Sequence, residues 1–196
     1  YPEVVLKGKK DEKIQVLESI FDLYVKKDLV DYLKIEKVLG IKKLIEFLAV
    51  NHGQKIKYEG LSKTISLTYL EIKDYIEILK ETYLIKELKP FYTNKNKEIV
   101  IIPKIYFIDN GVKNFFINNF NDVSLRNDTG FLFEGFIISE LTKRWFKNLK
   151  FWQDKNKNEV DVVVDLISRQ IPIEIKFKAE LKSDDFIGVK AFLKEY

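Results

Sequence analysis

Apolar residues recur three or four positions apart along the first third of the chain, which is the spacing of one buried helix face. Residues 11–27 and residues 28–39 therefore predict two helices, and Gly40 is interpreted as the end of the second. A third helix is predicted over residues 41–51, and the glycine of the following His52–Gly53 pair is typical of a helix stop. His52 is the only histidine and is interpreted as structural or exposed.

The next segment has the order of elements of a winged helix. A short helix is predicted over residues 58–65. A longer helix is predicted from Thr68 to about Thr82, because Thr68 and Glu71 form a T-x-x-E capping box. Its apolar stripe consists of Ile72, Tyr75, Ile76 and Leu79. The segments YLIKEL and EIVIIP then flank the turn-rich KPFYTNKNK and predict a β-hairpin, so that three helices precede a hairpin.

A strand and a long helix begin the second half of the chain. IYFIDNG predicts a strand that ends at Asp109, which is interpreted as the cap of a short helix. GFLFEGFIISELTKRWF predicts a helix whose apolar stripe consists of Ile137, Ile138, Leu141 and Trp145. One turn back, the stripe reaches Glu134. This carboxylate either faces inward, where it must be paired, protonated or bound to a metal, or lies at the edge and reaches water.

Residues 149–178 alternate with the two-residue period of strands. LKFWQDKNKNEVDVVVDLI predicts two strands around the turn DKNKN, with Val160, Val162, Val164 and Leu166 on the core face of the second. Asp161 is expected on the opposite face. IPIEIKFK predicts a third strand that carries Glu174, Lys176 and Lys178 on one face. Hairpin pairing is expected to bring Asp161 close to Glu174 and Lys176.

These elements define a candidate site for phosphodiester hydrolysis. The candidate catalytic residues are Glu134, Asp161, Glu174 and Lys176. The three carboxylates are the expected ligands of Mg²⁺ or Mn²⁺, which prefer oxygen ligands. Such a metal polarises a phosphate and lowers the pKa of an attacking water, and Lys176 would orient that water and offset developing charge. The alternative for Glu174 and Lys176 is a weak ion pair on a solvated strand face.

Composition restricts the classes of function. The chain has no cysteine, which excludes disulfides and thiolate metal sites and makes the cytoplasm the expected location. No apolar run reaches the roughly 20 residues that span a bilayer, so no membrane partner is expected. The chain begins with YPEVVL and has no initiator methionine, which predicts that it is part of a longer protein.

The charge pattern gives a mixed signal for nucleic acid. The net charge of +4 is too small to indicate such a partner by itself. Winged helices usually contact DNA through the third helix, but here that helix carries several acidic residues that phosphate would repel. The candidate DNA-contacting residues surround the second helix and lie in the wing: Lys55, Lys57, Lys63, Lys95 and Lys97. A hinge or protein-docking role is the alternative.

Seven segments, in this order, resemble the C-terminal half of a prokaryotic family of AAA-type ATPases. They are YPEVVL, YVKKDL, TYLEIKDYIEILKETYLIKELKPF, PKIYFIDNG, FLFEGFIISEL, FWQDKNKNEVDVVVD and IPIEIKFK. In that family an ATPase core precedes a winged helix and a domain of unknown function that resembles the PD-(D/E)xK nuclease fold. The resemblance implies an α+β protein, in which N-terminal helices and a winged helix-turn-helix precede a small α/β restriction-endonuclease-like domain with a mixed sheet.

The resemblance also implies a domain organisation. Residues 1–40 would be the helical tail of the ATPase module and a linker, residues 41–108 the winged helix, and residues 109–196 a nuclease-like domain that lacks its last strands. No G-x-x-x-x-G-K-[ST] loop occurs in the chain, so ATP is expected to bind only to an upstream ATPase core. The positions that match the active-site motif of the nuclease fold are again Glu134, Asp161, Glu174 and Lys176.

The expected function is that of a nucleic-acid-binding region of an AAA-type ATPase with a Mg²⁺-dependent phosphodiesterase site. Its expected partners are DNA and its own N-terminal ATPase domain. The alternative is a non-catalytic docking or regulatory module for protein partners of the ATPase.

Overall fold

The computed structural model describes residues 1–32, 35–92, 102–145 and 148–196. These residues have the predicted α+β fold and form two compact units. The first unit comprises Tyr1–Asn51, Lys57–Leu84 and Asp109–Asn121, and the second comprises His52–Ile56, Ile85–Ile108 and Asp122–Tyr196. Within the described ranges, no helix combines the length and the apolar character that crossing a membrane requires.

The described part of the first unit is helical. Its elements are α1 (Pro2–Leu6), α2 (Lys10–Leu23), a π-helical segment (Tyr24–Tyr32), α3 (Val38–Val50), a 3₁₀ turn (Tyr58–Gly60), α4 (Leu61–Ile65), α5 (Tyr69–Glu81) and α6 (Asn110–Phe116). The predicted start of α5 is confirmed, because Thr68 and Glu71 form the capping box. Asp109 is confirmed as a cap, since its Oδ1 accepts hydrogen bonds from the backbone N–H groups of Gly111 and Val112.

Gly40 does not end a helix, as the sequence had suggested, but lies inside α3. A Cβ atom at this position would be 2.5 Å from Cδ2 of Leu67. The missing side chain therefore lets Leu67 approach the helix backbone. The glycine serves packing here, and the helix begins before it, at Val38.

A mixed sheet forms the centre of the second unit. Its described strands are β1 (Ile85–Pro90), β2 (Lys104–Phe107), β3 (Leu149–Gln153), β4 (Glu159–Asp165) and β5 (Gln170–Ile173). Their order is β2-β1-β3-β4-β5, in which β1 and β3 are parallel and the other neighbours are antiparallel. The helices of the unit's described residues are α7 (Thr129–Trp145) and α8 (Ile187–Glu195), and 3₁₀ turns lie at Val123–Leu125 and Ser183–Phe186.

The two helices cover opposite faces of the sheet. Ile138 of α7 belongs to the apolar cluster on one face, and Phe192 of α8 belongs to the cluster on the other. Both side chains are 1% exposed. The sheet is therefore buried on both sides, and a charged side chain that points from it into the α7 face needs a partner.

The strands β1 and β2 belong to the sheet of the second unit. The sequence predicts YLIKEL and EIVIIP as the hairpin of a winged helix, but the second of these strands lies largely outside the described residues. In the structure β1 pairs with β2, with Ile85 opposite Phe107, and runs parallel to β3 on its other edge. The compact units therefore divide the chain at several points, after Asn51, Ile56, Leu84, Ile108 and Asn121.

A β-bulge interrupts the alternation of side chains along β4. Asp161 and Val162 both lie opposite the single residue Phe151 of β3. Such a bulge shifts the side-chain pattern by one position. Val160 consequently packs on the α8 face, whereas Val162 packs on the α7 face. The prediction of one core face shared by Val160 and Val162 is therefore wrong.

A carboxylate and lysine cluster as the candidate functional site

Asp161 lies at the bulge, and its side chain is 13% exposed. Its Oδ2 atom accepts a hydrogen bond of 2.8 Å from the backbone N–H of Ile175. Since Ile175 packs against the apolar cluster on the α7 face, the Asp161 carboxylate lies on that side of the sheet. Neighbouring residues of a regular strand point to opposite faces, so the bulge explains why Asp161 and Val162 share the α7 face.

The strand predicted over residues 171–178 is shorter in the structure, since β5 ends at Ile173. The backbone pairing of β5 with β4 stops there because the N–H of Ile175 donates its hydrogen bond to the Asp161 side chain in place of a backbone carbonyl. Glu174 and Lys176 therefore lie on an irregular segment directly after β5, and their predicted place within the strand is wrong. This segment is the second component of the site.

Lys176 contacts two carboxylates. Its Nζ atom donates a hydrogen bond to Oε1 of Glu174 and lies 3.6 Å from Oδ2 of Asp161. The Lys176 side chain is 35% exposed, while that of Glu174 is 9% exposed. Oε2 of Glu174 is buried and has no hydrogen-bond donor in the part of the chain that the structure describes. We call Asp161, Glu174 and Lys176 the Asp161 site.

The Asp161 site holds one acid that titrates near neutrality. Burial raises the pKa of Glu174 to about 7, with a further contribution from the Asp161 carboxylate, although the hydrogen bond from Lys176 acts in the opposite direction. Burial by itself would lower the pKa of Lys176, but Glu174 and Asp161 outweigh it and raise that pKa. Lys176 therefore stays charged at neutral pH, while Glu174 gains or loses its proton there.

Glu134 faces inward, as one of the two interpretations required, and is 9% exposed. Its Oε1 atom accepts a hydrogen bond of 2.5 Å from the Tyr106 hydroxyl and one of 3.4 Å from Nζ of Lys104. Burial raises the pKa of Glu134 in spite of the Lys104 charge. The structure thus gives Glu134 protein partners outside the Asp161 site.

Lys104 also links Glu134 to a second glutamate. Its Nζ atom lies 2.6 Å from Oε1 of Glu159. On the other side, Nζ of Lys55 lies 2.9 Å from Oε2 of Glu159 and 2.7 Å from Oε1 of Gln153. We call these residues, with Glu134 and Tyr106, the Lys104 network.

Sequence reasoning missed the Lys104 network. One signal was present, because Lys104 and Tyr106 alternate with Ile105 and Phe107 and therefore share one face of β2. The sequence did not show that this face lies opposite Glu134. That proximity depends on which face of the sheet α7 covers.

The candidate DNA-contacting lysines have different environments. Lys55 is half-buried and belongs to the Lys104 network, so its ammonium group is engaged inside the second unit. Lys57 and Lys63 are exposed residues of the first unit. Lys95 and Lys97 lie outside the described residues.

The Asp161 site fits part of the donor set that a divalent metal needs. Mg²⁺ is commonly held by one or two carboxylates together with waters and substrate phosphates. Asp161 and Glu174 supply two such groups, and the buried Oε2 of Glu174 accepts no hydrogen bond within the described ranges. Among the residues that the structure describes, no group of three or more acidic or histidine side chains is arranged to hold a metal ion. Glu134, the predicted third ligand, accepts hydrogen bonds from Tyr106 and Lys104.

Comparison with known families divides the chain near the start of α7. Residues 1–123, more than half of the chain, match a domain of unknown function, DUF8612. The chain belongs to the DUF8612 family. Residues 129–196 match a second domain of unknown function, DUF4143, and this match contains α7, β3 to β5, α8 and the Asp161 site.

Two curated relatives share part of this sequence. Over 132 residues the chain is 26% identical to the uncharacterized protein Rv2008c of Mycobacterium tuberculosis (strain ATCC 25618 / H37Rv) and equally to the uncharacterized protein Mb2031c of Mycobacterium bovis (strain ATCC BAA-935 / AF2122/97). Each match covers 66% of this chain and 30% of the relative, so the chain corresponds to less than a third of those proteins. No solved structure matches the chain.

Proposed function

We propose that the second unit is a metal-dependent phosphodiesterase that acts on nucleic acid at the Asp161 site. One observation carries this proposal: the Lys176 ammonium group contacts both Asp161 and Glu174, beside a buried Glu174 oxygen that accepts no hydrogen bond from any described residue. Phosphodiester hydrolysis needs carboxylate oxygens for a divalent cation and a fixed positive charge near the phosphate. The Asp161 site offers both within one segment of chain.

Each residue of the site has a role in the proposed reaction. Asp161 and Glu174 would hold Mg²⁺ or Mn²⁺, which when bound polarises the phosphate and lowers the pKa of the attacking water. Lys176 would offset negative charge on the phosphate while the water oxygen, which gives up a proton to solvent, bonds to phosphorus. The bond from phosphorus to the leaving oxygen breaks, and that oxygen takes up a proton from solvent. Asp161 also fixes the segment that carries Glu174 and Lys176, through its hydrogen bond from the N–H of Ile175.

The proposed context is the C-terminal region of an AAA-type ATPase in the cytoplasm. The ordered segments from YPEVVL to IPIEIKFK support this context, and they lie within the residues that match DUF8612 and DUF4143, 1–123 and 129–196. ATP would bind to the ATPase core of such a protein. DNA is the proposed partner of the region, and the exposed Lys57 and Lys63 are suited to contact its backbone.

A cleavage assay tests the proposal. The chain is incubated with Mg²⁺ or Mn²⁺ and with end-labelled single-stranded and double-stranded DNA and RNA. Lys176→Ala and Asp161→Asn should each lower the cleavage rate about a hundredfold or more, the typical loss of one electrostatic group that acts in a transition state. Lys143→Ala is the matched control, because Lys143 is an exposed lysine of α7 that pairs with Glu140. Its cleavage rate should equal that of the wild type.

Two results would contradict the proposal. Cleavage that persists unchanged in both Lys176→Ala and Glu174→Ala arises from another site. A folded wild-type chain that cleaves none of the substrates with either metal has no phosphodiesterase activity of its own.

A non-catalytic docking or regulatory module for protein partners of the ATPase is the second candidate. The contacts of Glu134 favour it, since the nuclease-like pattern assigns this residue to the active site while its carboxylate accepts hydrogen bonds from Tyr106 and Lys104. An inactive wild type that also fails to bind DNA at low salt would support this candidate, because a basic nucleic-acid surface binds most tightly there.

A further inference from the structure

Two phenylalanine rings lie beside the Asp161 site. Phe177 directly follows Lys176, and Phe133 of α7 directly precedes Glu134. The centroids of the two rings are 5.4 Å apart, with 59° between their planes. Phe177 is 55% exposed, so a large part of its ring is open to solvent. We call these two residues the Phe133–Phe177 pair.

The apolar clusters on the two faces of the sheet do not account for Phe177. Neither apolar cluster of the sheet includes it, whereas the preceding apolar residue, Ile175, packs against the cluster on the α7 face. A single exposed apolar side chain needs no special explanation. Phe177 differs from such a side chain in its surroundings, because the Phe133 ring supports it on one side and the partly exposed Lys176 occupies the adjacent position.

An aromatic ring next to a phosphate-binding lysine suits a nucleotide. Every nucleobase has a flat face that stacks on an aromatic side chain, and this face is accessible only when the base is not stacked within a duplex. Adjacent Cα atoms are about 3.8 Å apart, so a nucleotide with its phosphate at Lys176 has its base within reach of Phe177. The lysine favours a phosphate-bearing partner over an apolar protein surface.

We propose that the Phe133–Phe177 pair is a stacking platform for an unpaired nucleobase, and that single-stranded nucleic acid is the substrate class of the Asp161 site. The assignment of a substrate rests on the phosphodiesterase function proposed above. The stacking contact itself can be measured without cleavage.

Binding measurements on the whole chain in the presence of EDTA test the platform. The probes are a labelled single-stranded oligonucleotide of mixed sequence and the corresponding duplex. Phe177→Leu keeps an apolar side chain but removes the aromatic face, and it should weaken single-strand binding about tenfold. Phe177→Trp keeps an aromatic face and should bind at least as tightly as the wild type. Duplex binding should be the same in all three proteins.

The tryptophan variant also gives a direct signal. A base that stacks on the new indole should quench its fluorescence, and the same titration of the wild type corrects for Trp145 and Trp152. Leu125→Ala is the control for loss of an exposed apolar side chain, because Leu125 is 76% exposed and lies on a 3₁₀ turn of the same unit. It should bind the single strand like the wild type.

The outcomes separate this inference from the proposed function. The platform is overturned if Phe177→Leu binds the single strand as tightly as the wild type. It is also overturned if Phe177→Leu and Phe177→Trp weaken binding equally and the new indole is not quenched. The second result would indicate a contact that depends on the shape of the side chain, such as protein docking. Cleavage that depends on Asp161 but not on Phe177 leaves the phosphodiesterase and removes the platform. Binding that depends on an aromatic Phe177 without any cleavage leaves the platform and removes the phosphodiesterase.

Discussion

Lys104 carries a positive charge into the second unit, where its side chain is 7% exposed. Burial alone would lower the pKa of Lys104, but the charges of Glu134 and Glu159 outweigh it and raise that pKa. The same contacts act on the partners, since Lys104 and Lys55 lower the pKa of Glu159 although burial opposes them. The charges of the Lys104 network therefore depend on one another.

Removing the Lys104 charge should strongly destabilise the protein. Lys104→Met keeps most of the side-chain volume but leaves Glu134 buried without its cation. Breaking a buried ion pair in this way costs about 3–5 kcal/mol, which urea unfolding would measure as a lower free energy of unfolding.

The control is Lys143→Met, which removes an exposed lysine of α7 from its pair with Glu140. An exposed pair contributes less than about 1 kcal/mol. Equal losses in the two variants would mean that the buried Glu134 does not need Lys104.

Glu174 should make stability depend on pH in a defined direction. Its pKa is raised from 4.5 to about 7 in the folded protein. Between these pH values the folded state therefore keeps a proton that the unfolded state has released. This contribution to stability is complete below pH 4.5 and is lost as the pH rises through about 7. In metal-free buffer, the free energy of unfolding of the wild type should therefore fall relative to that of Glu174→Gln over this range.

Denaturant unfolding of both proteins at several pH values would measure the difference. Groups that do not interact with Glu174 titrate alike in both proteins, so their contributions cancel. A difference that stays constant between pH 4.5 and pH 7, or that changes in favour of the wild type, would refute the raised pKa.

At the scale of elements, the position of α8 depends on Gly188. A Cβ atom at this residue would lie 1.8 Å from the backbone oxygen of Glu159, so the helix backbone rests directly on β4. Glu159 itself belongs to the Lys104 network through its side chain. The close contact between α8 and β4 thus supports the strand from the face opposite α7.

Gly188→Ala should force α8 away from β4. Inserting a methyl group into such a packed contact costs about 1–3 kcal/mol, which would appear as a lower thermal unfolding midpoint. Gly130→Ala is the matched control, because a Cβ atom on this α7 glycine would have no heavy atom within 4 Å. That variant should be neutral or slightly more stable, and a larger loss there than at Gly188 would contradict the packing argument.

At the scale of the whole molecule, the chain forms two compact units whose sequence segments are interleaved. The Asp161 site belongs entirely to the second unit. A metal ion bound there should therefore stabilise the segment from β4 to the residues after β5. The helices of the first unit supply none of the proposed ligands.

Hydrogen exchange with and without Mg²⁺ or Mn²⁺ would test this localisation. Amides in residues 159–177 that exchange only after the ion dissociates should be slowed by the bound ion. When the free ion concentration is ten times the dissociation constant, their exchange should be about tenfold slower. Exchange in α3 and α5 should not change. Asp161→Asn should remove the effect, and protection that survives in this variant would assign the ion to another site.

Local sequence patterns predicted the parts of the fold that neighbouring residues determine. Thr68 and Glu71 are three positions apart, so a capping box fixed the start of α5 without any tertiary contact. The turn DKNKN likewise joined β3 to β4, and the short connection to the next strand brought Glu174 and Lys176 towards Asp161.

The sequence by itself therefore determined the α+β class, most helices and strands of the second half, and the meeting of Asp161 with Glu174 and Lys176. Only the tertiary structure decided which face Asp161 uses, because the bulge depends on the register of β4 against Phe151 of another strand. The tertiary structure alone also decided the partners of Glu134, since Lys104 is 30 positions away in the sequence and reaches Glu134 across the α7 face of the sheet. Propensities and turns act over a few residues, whereas these contacts depend on how distant strands and helices pack.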